Sequence, residues 1–461
     1  MTEVDLIVIA KWIIPVIPEN TVYENHCLVV KDKRIVDITR VTDVDQKYNA
    51  KLVYNLKELN PNGAEYIITP GFFNMHSHSA MALFRSYADD VSLHDWLNKF
   101  IWPAEGQYVS EEFVRVGTQL ACMEMIKTGT TYCNEMYYYP EISAKVIEAS
   151  GMRATVAAPI IKFPTVYASN ENEYIDKGLK LIESFKDNEK IKISLGPHAV
   201  YTITDDCYKK VLEISNKYNL PIHTHLHETH KEVEDEIISS GERPIDRLNN
   251  LGLLSNKLIA VHMTQLTPND LDLVEKNKVN VVHCPESNLK LGVAGICPVH
   301  KMQQKNINVS LGTDSAASND DLDLLGEVRT AAYLDKLAYN LKNLDAQEQT
   351  STPTAAYKIL QMATLNGAKA LGVDKDLGSL EPGKFADFIA VRVSNPPIYD
   401  PISYLVYVGT NKVTDVWVAG EQLVKNSKLT RQSEQEIRQQ VQVFSEKIQA
   451  TRPSTKMNII S

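Results

Sequence analysis

The sequence has few cysteines, no cluster of positive charge and no long apolar run. Its six cysteines include no Cys-x-x-Cys pair, and six thiols in 461 residues do not make a disulfide framework. We expect free thiols in the reducing environment of the cytoplasm. No apolar run approaches the roughly 20 residues that cross a bilayer, and the N-terminus lacks the pattern of a signal peptide. These absences argue against a membrane protein and against a secreted one.

The charge balance narrows the class of partner. The formal net charge is −10, and the chain contains no basic run. Binding to a phosphate backbone needs clustered Lys and Arg, so we expect no nucleic-acid partner and a small-molecule substrate instead. Hydrophobic residues make up 44% of the chain, which is ordinary for a protein that buries a large core. The length predicts one large domain plus a smaller one, or two to three domains.

The two ends of the chain have the pattern of β-strands. Three apolar runs separated by turn residues lie between residues 5 and 38, and further runs follow the turn cluster 378–384. Neither end is long enough to bury a good core alone, so we predict that both ends form one small composite β-sandwich. The predicted bounds are 1–65 plus 377–430 for the sandwich and 431–461 for a C-terminal helix and tail.

Between these ends, residues 66–376 alternate short apolar strands with amphipathic helices. This alternation predicts an α/β fold, a distorted (β/α)₈ TIM barrel. An open doubly wound sheet is the alternative, but polar residues follow many different strands, which is where a barrel places its active site. The predicted strands are 67–74, 130–134, 153–159, 191–197, 222–225, 258–263, 279–283 and 309–312, and the clearest helices are 111–127, 171–185, 205–217 and 244–251.

Two histidines follow the first barrel strand. The stretch 70–78 reads Pro-Gly-Phe-Phe-Asn-Met-His-Ser-His, so His76 and His78 are two residues apart. On an extended strand, residues two apart point to the same face. Neutral imidazoles are good zinc ligands. The pair alone is a weak signal, but its position at the barrel mouth makes it a candidate metal site.

Four histidines and a glutamate crowd the end of the fifth strand, in the stretch Pro-Ile-His-Thr-His-Leu-His-Glu-Thr-His. Strand alternation places His223, His225 and His227 on one face, and Glu228 begins the following loop. We assign His225 as the metal ligand and Glu228 as a proton shuttle. We expect His223 and His227 to pack or to support the ligands, and His230 to be a solvated residue at a helix start.

Three further polar residues follow other strands. Asp314 follows the eighth strand, where one oxygen could bind a metal and the other accept a proton from water, although a helix N-cap is the alternative. His262 follows the sixth strand and His198 the fourth, and either could be a core histidine. Because all of these residues follow strands of one barrel, we expect them to converge on one point.

These motifs are similar to those of the amidohydrolase superfamily and, within it, of the 5′-methylthioadenosine/S-adenosylhomocysteine deaminases. The resemblance covers nearly the whole chain. It includes Ile-Trp-Pro-Ala-Glu-Gly at 101–106, His-Cys-Pro-Glu-Ser-Asn-Leu-Lys-Leu at 283–291 and Glu-Pro-Gly-Lys-Phe-Ala-Asp at 381–387. The other matching stretches are 70–78, 196–198, 225–229, 261–264, 312–319 and 362–368.

The resemblance implies a site with one divalent metal ion. Members with two metals carry a lysine at the end of the fourth strand, where this chain has Leu-Gly-Pro-His. By position, the metal ligands are His76, His78, His225 and Asp314. Three imidazoles and a carboxylate suit Zn²⁺ best, with Fe and Mn as alternatives. The resemblance also favours a homo-oligomer, a dimer or a tetramer.

The implied reaction is hydrolytic deamination of an adenine ring, giving the inosine analogue and ammonia. A metal-activated water attacks C6 while Glu228 donates a proton to N1. His262 and Asp314 hold this water and help to deprotonate it. Glu105 matches a residue that binds the ribose hydroxyls, and His198 matches a further substrate contact. Glu228 and Asp314 therefore act both in catalysis and in substrate binding.

One region departs from the family pattern. Members that accept S-adenosylhomocysteine carry arginines after the third strand, which clamp its carboxylate. Here residues 154–170 contain no arginine and are largely apolar, with Lys162 as their one cation. We therefore expect 5′-methylthioadenosine as the best substrate, adenosine next and S-adenosylhomocysteine last. Trp96 and Trp102 could line this pocket or pack the barrel rim.

Two other interpretations remain open. The first is another aminohydrolase or chlorohydrolase of the superfamily, such as a guanine deaminase or a triazine hydrolase. Glu105 argues against it, because a ribose diol needs a carboxylate and a triazine offers no diol. The second is a catalytically inactive metal-binding scaffold. Glu228 and His262 argue against it, because neither is assigned to the metal.

Overall fold

The computed structural model describes residues 1–58, 63–342, 353–394 and 396–452, so the predicted tail at 453–461 lies outside the described residues. The strands are β1 Thr2–Ile9, β2 Trp12–Ile13, β3 Tyr23–Glu24, β4 His26–Lys31, β5 Arg34–Arg40, β6 Tyr48–Asn55, β7 Glu65–Pro70, β8 Phe72–Ser77, β9 Thr130–Glu135, β10 Arg153–Ile160, β11 Ile191–Pro197, β12 Ile222–Leu226, β13 Leu258–His262, β14 Asn280–His283, β15 Val309–Leu311, β16 Phe388–Val393, β17 Val413–Val418, β18 Glu421–Lys425 and β19 Lys428–Leu429. The α-helices are α1 Val41–Lys47, α2 Leu93–Asp95, α3 Trp102–Tyr108, α4 Glu111–Lys127, α5 Pro140–Ser150, α6 Glu171–Phe185, α7 Asp205–Tyr218, α8 His230–Ser240, α9 Pro244–Asn250, α10 Pro268–Asn277, α11 Pro285–Lys290, α12 Val299–Gln304, α13 Ala316–Asn319, α14 Leu324–Lys342, α15 Ala356–Met362, α16 Leu365–Ala370, α17 Pro401–Val408 and α18 Glu434–Thr451. Two 3₁₀ turns at Ser79–Phe84 and Val200–Thr202 and a π-helix at Trp96–Ile101 complete the set.

Strands β8 to β15 form one parallel barrel, in which neighbours in the chain are neighbours in the sheet. The first and last strands meet where Asp314 N donates to His76 O at 2.9 Å and Thr313 N donates to Asn74 Oδ1 at 3.0 Å. Gly312 permits this approach, because a Cβ there would lie 2.7 Å from His76 N. The predicted (β/α)₈ barrel is confirmed, and the open doubly wound sheet is wrong.

The predicted first barrel strand, 67–74, is two strands in the structure. Strand β7 pairs with β2 and β16, whereas β8 begins the barrel beside β9. The chain passes from one sheet to the other at Gly71, where a Cβ would lie 2.2 Å from the side chain of Thr131. Nearly every residue of both strands is buried, so the apolar pattern runs on across the break and conceals it.

The two ends of the chain meet in a sandwich of two sheets, as predicted. One sheet has the order β5-β4-β1-β6, and the other has the order β19-β18-β17-β16-β7-β2-β3, which joins N-terminal to C-terminal strands. Apolar side chains of the two sheets share one core, in which Leu28 packs with Phe388 and Trp417. The rings of Phe388 and Trp417 stack with centroids 4.6 Å apart. Burial of each such side chain contributes about 1.5–3 kcal/mol.

The outer helices follow from local sequence signals. Helices α4 and α6 have the predicted bounds, and their N-caps are Ser110, which accepts from Phe113 N, and Asn170. The C-terminal helix α18 packs on α4, where the rings of Phe113 and Phe444 meet edge to face at 5.6 Å. All six cysteines are buried free thiols. Within the described ranges, no helix combines the length and apolar character that crossing a membrane requires.

A buried ion pair joins the barrel to the sandwich. Arg153, at the start of β10, donates from Nε to Asp387 Oδ2 at 2.7 Å, and its guanidinium lies 4.5 Å from the Phe385 ring centroid. Asp387 Oδ1 also accepts from Ala419 N at 2.7 Å. Both charged side chains are less than a tenth exposed. Because each charge is desolvated, loss of one partner leaves the other unpaired in the interior.

We therefore expect Asp387→Asn to lower the free energy of unfolding by about 3–5 kcal/mol, the usual cost of an unpaired buried charge. Asp376→Asn is the matched control, since Asp376 pairs with Arg34 at 2.8 Å but both side chains are about half exposed. That control should lose at most about 1 kcal/mol. Urea unfolding of both variants measures the difference. Equal losses would show that the Arg153 pair does not hold the two parts together.

Candidate active site

Four strands bring polar side chains to the same mouth of the barrel. His76 and His78 lie at the end of β8, His225 lies in β12, His262 ends β13, and Asp314 follows β15. The ligand nitrogens of His76, His78 and His225 lie within 4.8 Å of one another, and so do the ligand atoms of His76, His262 and Asp314. His76 belongs to both groups and so links the four residues predicted as metal ligands, and His262 also lies within reach of the same point.

Hydrogen bonds fix the orientation of the three imidazoles. His78 Nδ1 lies 2.5 Å from Met136 O, and His225 Nδ1 lies 2.7 Å from His198 O. A carbonyl oxygen can only accept, so each Nδ1 carries the proton and each Nε2 keeps its lone pair. His76 Nδ1 lies 2.9 Å from His223 Nε2. Such partners on the far nitrogen are typical of metal-binding histidines.

The carboxylate of Asp314 completes the group. Its Oδ1 lies 3.4 Å from Nε2 of both His76 and His78. Its Oδ2 accepts from Ser287 Oγ at 2.7 Å, and Oδ1 accepts from Ser315 N at 2.8 Å. Burial alone would raise the pKa of Asp314, but the contact with His76 and the surrounding imidazoles outweigh it and hold the pKa well below its usual range. Asp314 is therefore ionised.

The electrostatics of the group fit a divalent cation. Burial lowers the pKa of His76 to about 4, and it lowers that of His225 well below the ordinary value. Both imidazoles are therefore neutral at pH 7, which is the form that binds a metal. His76 Nε2 is buried and has no hydrogen-bond partner. An orphaned lone pair among neutral imidazoles and a carboxylate is the donor set that zinc prefers.

Glu228 and His262 face each other beside this group. His262 Nε2 lies 3.6 Å from Glu228 Oε1, and its Nδ1 lies 2.9 Å from Asn288 Oδ1, which orients the ring. Burial, helped by the charge of Asp314, raises the pKa of Glu228 to about 8. Glu228 therefore carries a proton at neutral pH and can act as a general acid.

Glu105 lies on the other side of the same cavity. It is held by Tyr137, whose hydroxyl donates to Glu105 Oε1 at 2.7 Å. Burial raises the pKa of Glu105 to about 7, although Tyr137 and His78 oppose that shift. His198 is partly buried, with Nδ1 3.3 Å from Thr202 Oγ1. The structure thus places both predicted substrate contacts, Glu105 and His198, in the cavity that contains Glu228.

The cavity lies at the mouth of the barrel, beside the predicted metal ligands His78, His225 and Asp314. Most of its wall is apolar. The residues after the third strand contribute Ile161 and Phe163, and Trp96 and Trp102 also line it. The ring of Trp102 meets that of Phe163 edge to face at 5.8 Å. Lys162 is exposed and does not line the cavity, so no cation lies on this wall.

The remaining histidines of the fifth strand have three different environments. His223 is buried against His76, as a supporting residue. His227 points away from the site, since its Nδ1 lies 2.9 Å from Gln265 O and its Nε2 accepts from Ile245 N. His230 is exposed at the first position of α8 and pairs with Glu234. These positions agree with the predicted packing, supporting and solvated roles. The prediction that His227 shares one face with His223 and His225 is wrong, because β12 ends at Leu226 and the backbone of His227 is left-handed, with φ 54°.

Two buried carboxyl groups that support the site were missed. Glu135 accepts from Ser77 Oγ at 2.7 Å and from Ser79 N at 3.0 Å, which fixes both neighbours of His78. Glu232 accepts from the backbone N of Glu228 at 2.6 Å. The pattern Thr-x-x-Glu that begins at Thr229 could have indicated Glu232, because it is typical of a helix N-terminus. For Glu135, the one signal in the sequence was its position directly after the predicted strand 130–134.

Comparison with known proteins places the chain beside metal-dependent deaminases. The model of the amidohydrolase family matches residues 67–423. A protein of Saccharophagus degradans named 5-methylthioadenosine/S-adenosylhomocysteine deaminase is 43% identical over 99% of both chains. A 5′-deoxyadenosine deaminase of Methanosarcina acetivorans is 35% identical over 97% of this chain and 99% of its own.

Solved structures give the same picture. An adenosine deaminase from Xanthomonas campestris with bound zinc superimposes with a TM-score of 0.92, at 37% identity over 98% of this chain and all of the other. An atrazine chlorohydrolase from Arthrobacter aurescens superimposes with a TM-score of 0.84, but at 20% identity over 95% of this chain and all of the other. At that identity the likeness extends to the fold alone.

The hydrogen bond between His223 and His76 yields a test of the metal site. We expect His223→Leu to weaken metal binding about 10- to 100-fold, because it removes the partner that orients a ligand. His227→Leu is the control, since His227 is also buried and directly follows the same strand, but its ring points elsewhere. Competition of each folded variant with a chromophoric chelator for zinc measures the affinity. Unchanged affinity in His223→Leu would contradict this role.

Proposed function

This chain belongs to the amidohydrolase family, and we propose that it hydrolyses the 6-amino group of 5′-methylthioadenosine, which yields the inosine analogue and ammonia. The observation that carries the proposal is one cavity in which a protonated Glu228 faces His262 and Asp314, with Glu105 at its other side. The relatives described above support the reaction class, since they carry the names of deaminases.

We propose that a single divalent ion, zinc first, is held by His76, His78, His225 and Asp314. The neutral imidazoles of His76 and His225, the ionised carboxylate of Asp314 and the zinc bound in a relative support this choice. Such an ion supplies Lewis acidity, which lowers the pKa of water to about 7. The side chains of the protein transfer the protons and bind the substrate.

Glu228 is the general acid. As a hydroxyl group adds to C6 of the purine, negative charge builds on N1, and the Glu228 carboxyl donates its proton there. Its raised pKa keeps the proton in place until the ring accepts it. The backbone N of Glu228 donates to the side chain of Glu232, and this contact holds Glu228 in place just before the start of α8.

His262 and Asp314 take part at the opposite side of the attacked carbon. His262 keeps a lone pair on Nε2, because its Nδ1 contacts Asn288 Oδ1. Asp314 is ionised and held by Ser287. Both can therefore accept hydrogen bonds from the attacking water and receive its proton. That proton passes to the amino group, the C6–N bond breaks, and ammonia leaves. As the C6 carbonyl forms, the proton of the added hydroxyl group returns to Glu228 and restores the general acid.

Glu105 recognises the ribose. A carboxylate accepts hydrogen bonds from two vicinal hydroxyl groups, which a nucleoside offers and a free base or a triazine does not. The hydroxyl group of Tyr137 donates to this carboxylate and holds it in place. His198 lines the same cavity and makes a further contact with the substrate. A carboxylate placed to bind a ribose favours a nucleoside substrate over the guanine and triazine alternatives.

The apolar wall of Ile161 and Phe163 receives the 5′ substituent. A methylthio group buries apolar surface there, whereas the carboxylate of S-adenosylhomocysteine would meet no Lys or Arg among the described residues that line this cavity. We place the enzyme in the cytoplasm and expect it to form a homo-oligomer, a dimer or a tetramer. An inactive scaffold would not need Glu228 and His262 so arranged, so it is the less favoured interpretation.

We expect Glu228→Gln to keep its metal and to lose about 10²–10⁴ in kcat, the usual contribution of positioned general acid–base catalysis. The amide preserves the shape of Glu228 but cannot donate the acidic proton. Ammonia release and metal content are measured on the same sample. Glu234→Gln on the exposed face of α8 is the control and should match the parent. Full turnover by Glu228→Gln with full metal content would remove this role.

The ratio kcat/KM should fall from 5′-methylthioadenosine to adenosine to S-adenosylhomocysteine. An unpaired charge at the apolar wall should cost the last substrate about 10- to 100-fold. Phe163→Arg should narrow that gap, because it adds a partner for the carboxylate. Steady-state assays on the three nucleosides measure the order. A preference of the parent enzyme for S-adenosylhomocysteine would contradict the apolar-pocket argument.

A further inference from the structure

Two loops at the barrel mouth must keep a fixed relation to each other. Helix α11, after β14, carries Ser287 and Asn288, and the loop after β15 carries Asp314. Ser287 Oγ donates to Asp314 Oδ2 at 2.7 Å, and Asn288 Oδ1 lies 2.9 Å from His262 Nδ1. A shift of either loop would therefore move Asp314 and His262 relative to each other.

A single buried carboxyl group behind the site contacts both loops. Glu327, near the start of α14, has no exposed surface. One of its oxygens accepts from Glu286 N at 3.1 Å, at the start of α11. The other accepts from Asn319 Nδ2 at 2.6 Å, and Asn319 Nδ2 also donates to Thr313 O at 2.9 Å, beside Asp314.

We propose that Glu327 is a positioning residue that locks helix α11 to the Asp314 loop, and so sets the relation of Asp314 to His262. The kinetic test of this role rests on the proposed function, because it uses 5′-methylthioadenosine as the substrate. Glu327 touches neither substrate nor reacting atoms, and it acts through Glu286 N and Asn319.

Burial of the Glu327 carboxyl group costs free energy, and this cost is a reason to expect that its two contacts are needed. Burial and the neighbouring Glu286 raise its pKa well above the usual value. Glutamine has nearly the same shape as glutamate, so it would fill this space and avoid the cost of a buried acidic group. It offers one acceptor oxygen, however, and its amide would face an N–H at the second contact. A carboxyl group, ionised or protonated, has an oxygen that can accept at each of the two contacts, whereas an amide has one oxygen only.

Glu327→Gln is therefore the variant to make, and Glu286→Gln is its matched control. The Glu286 side chain lies in the same acidic group, but it accepts from Thr330 Oγ1 and reaches neither Thr313 nor Asn319. Each variant is loaded with zinc and assayed for kcat and KM on 5′-methylthioadenosine. Zinc affinity by chelator competition and hydrogen exchange by mass spectrometry need no substrate.

We expect Glu327→Gln to lower kcat and zinc affinity about 10- to 100-fold with little change in KM, as for other residues that orient metal-site groups. Hydrogen exchange should rise together in 285–290 and 313–319, and Glu286→Gln should match the parent. Asn319→Ala combined with Glu327→Gln should lose less than the sum of the two, because both break one contact.

Other outcomes would overturn the inference. A lowered unfolding midpoint with kcat, zinc affinity and loop exchange unchanged would leave Glu327 a purely structural residue. Increased exchange in one loop without the other would also contradict the lock. An inactive parent enzyme would count against the proposed substrate alone, because zinc affinity and loop exchange still test the role of Glu327.

Discussion

Desolvation of polar groups at the barrel mouth is the constraint on which the rest of the structure depends. His76, His225 and Asp314 lie together in the buried interior, and the partly buried ring of His78 lies beside them. Buried polar atoms need partners, and the ends of neighbouring strands supply them: Met136 O for His78, His198 O for His225 and Ser287 for Asp314. The same burial keeps His76 and His225 neutral, which is the form of an imidazole that binds a metal ion.

This constraint also separates the roles of the two carboxyl groups nearest the reaction. Asp314 lies among imidazoles and is ionised, whereas Glu228 lies near that negative charge in an apolar wall and keeps its proton. Two ordinary carboxylic acids thus have opposite protonation states because their environments differ, as the proposed reaction requires. The supporting carboxyl groups Glu135, Glu232 and Glu327 lie one layer further out, where they hold loops and do not meet the substrate.

Local and periodic features of the sequence predicted most of the fold and the central residues. His76 and His78 stood two apart after an apolar run, and Asp314 followed another, so barrel geometry alone placed them together. The break at Gly71 was not visible, because both adjoining strands are buried and their apolar pattern is continuous. Glu327 was not predicted either, because its role depends on contacts with two loops that only the folded chain brings to it.

Incorporation of oxygen from water into the product is the most direct test of the central claim, hydrolytic deamination at C6. The zinc-loaded enzyme is incubated with 5′-methylthioadenosine in ¹⁸O-labelled water, and the product is analysed by mass spectrometry. We predict 5′-methylthioinosine with a single ¹⁸O atom at C6 and one ammonia for each product molecule. Release of free adenine, or an unlabelled product, would contradict attack of water on the ring carbon.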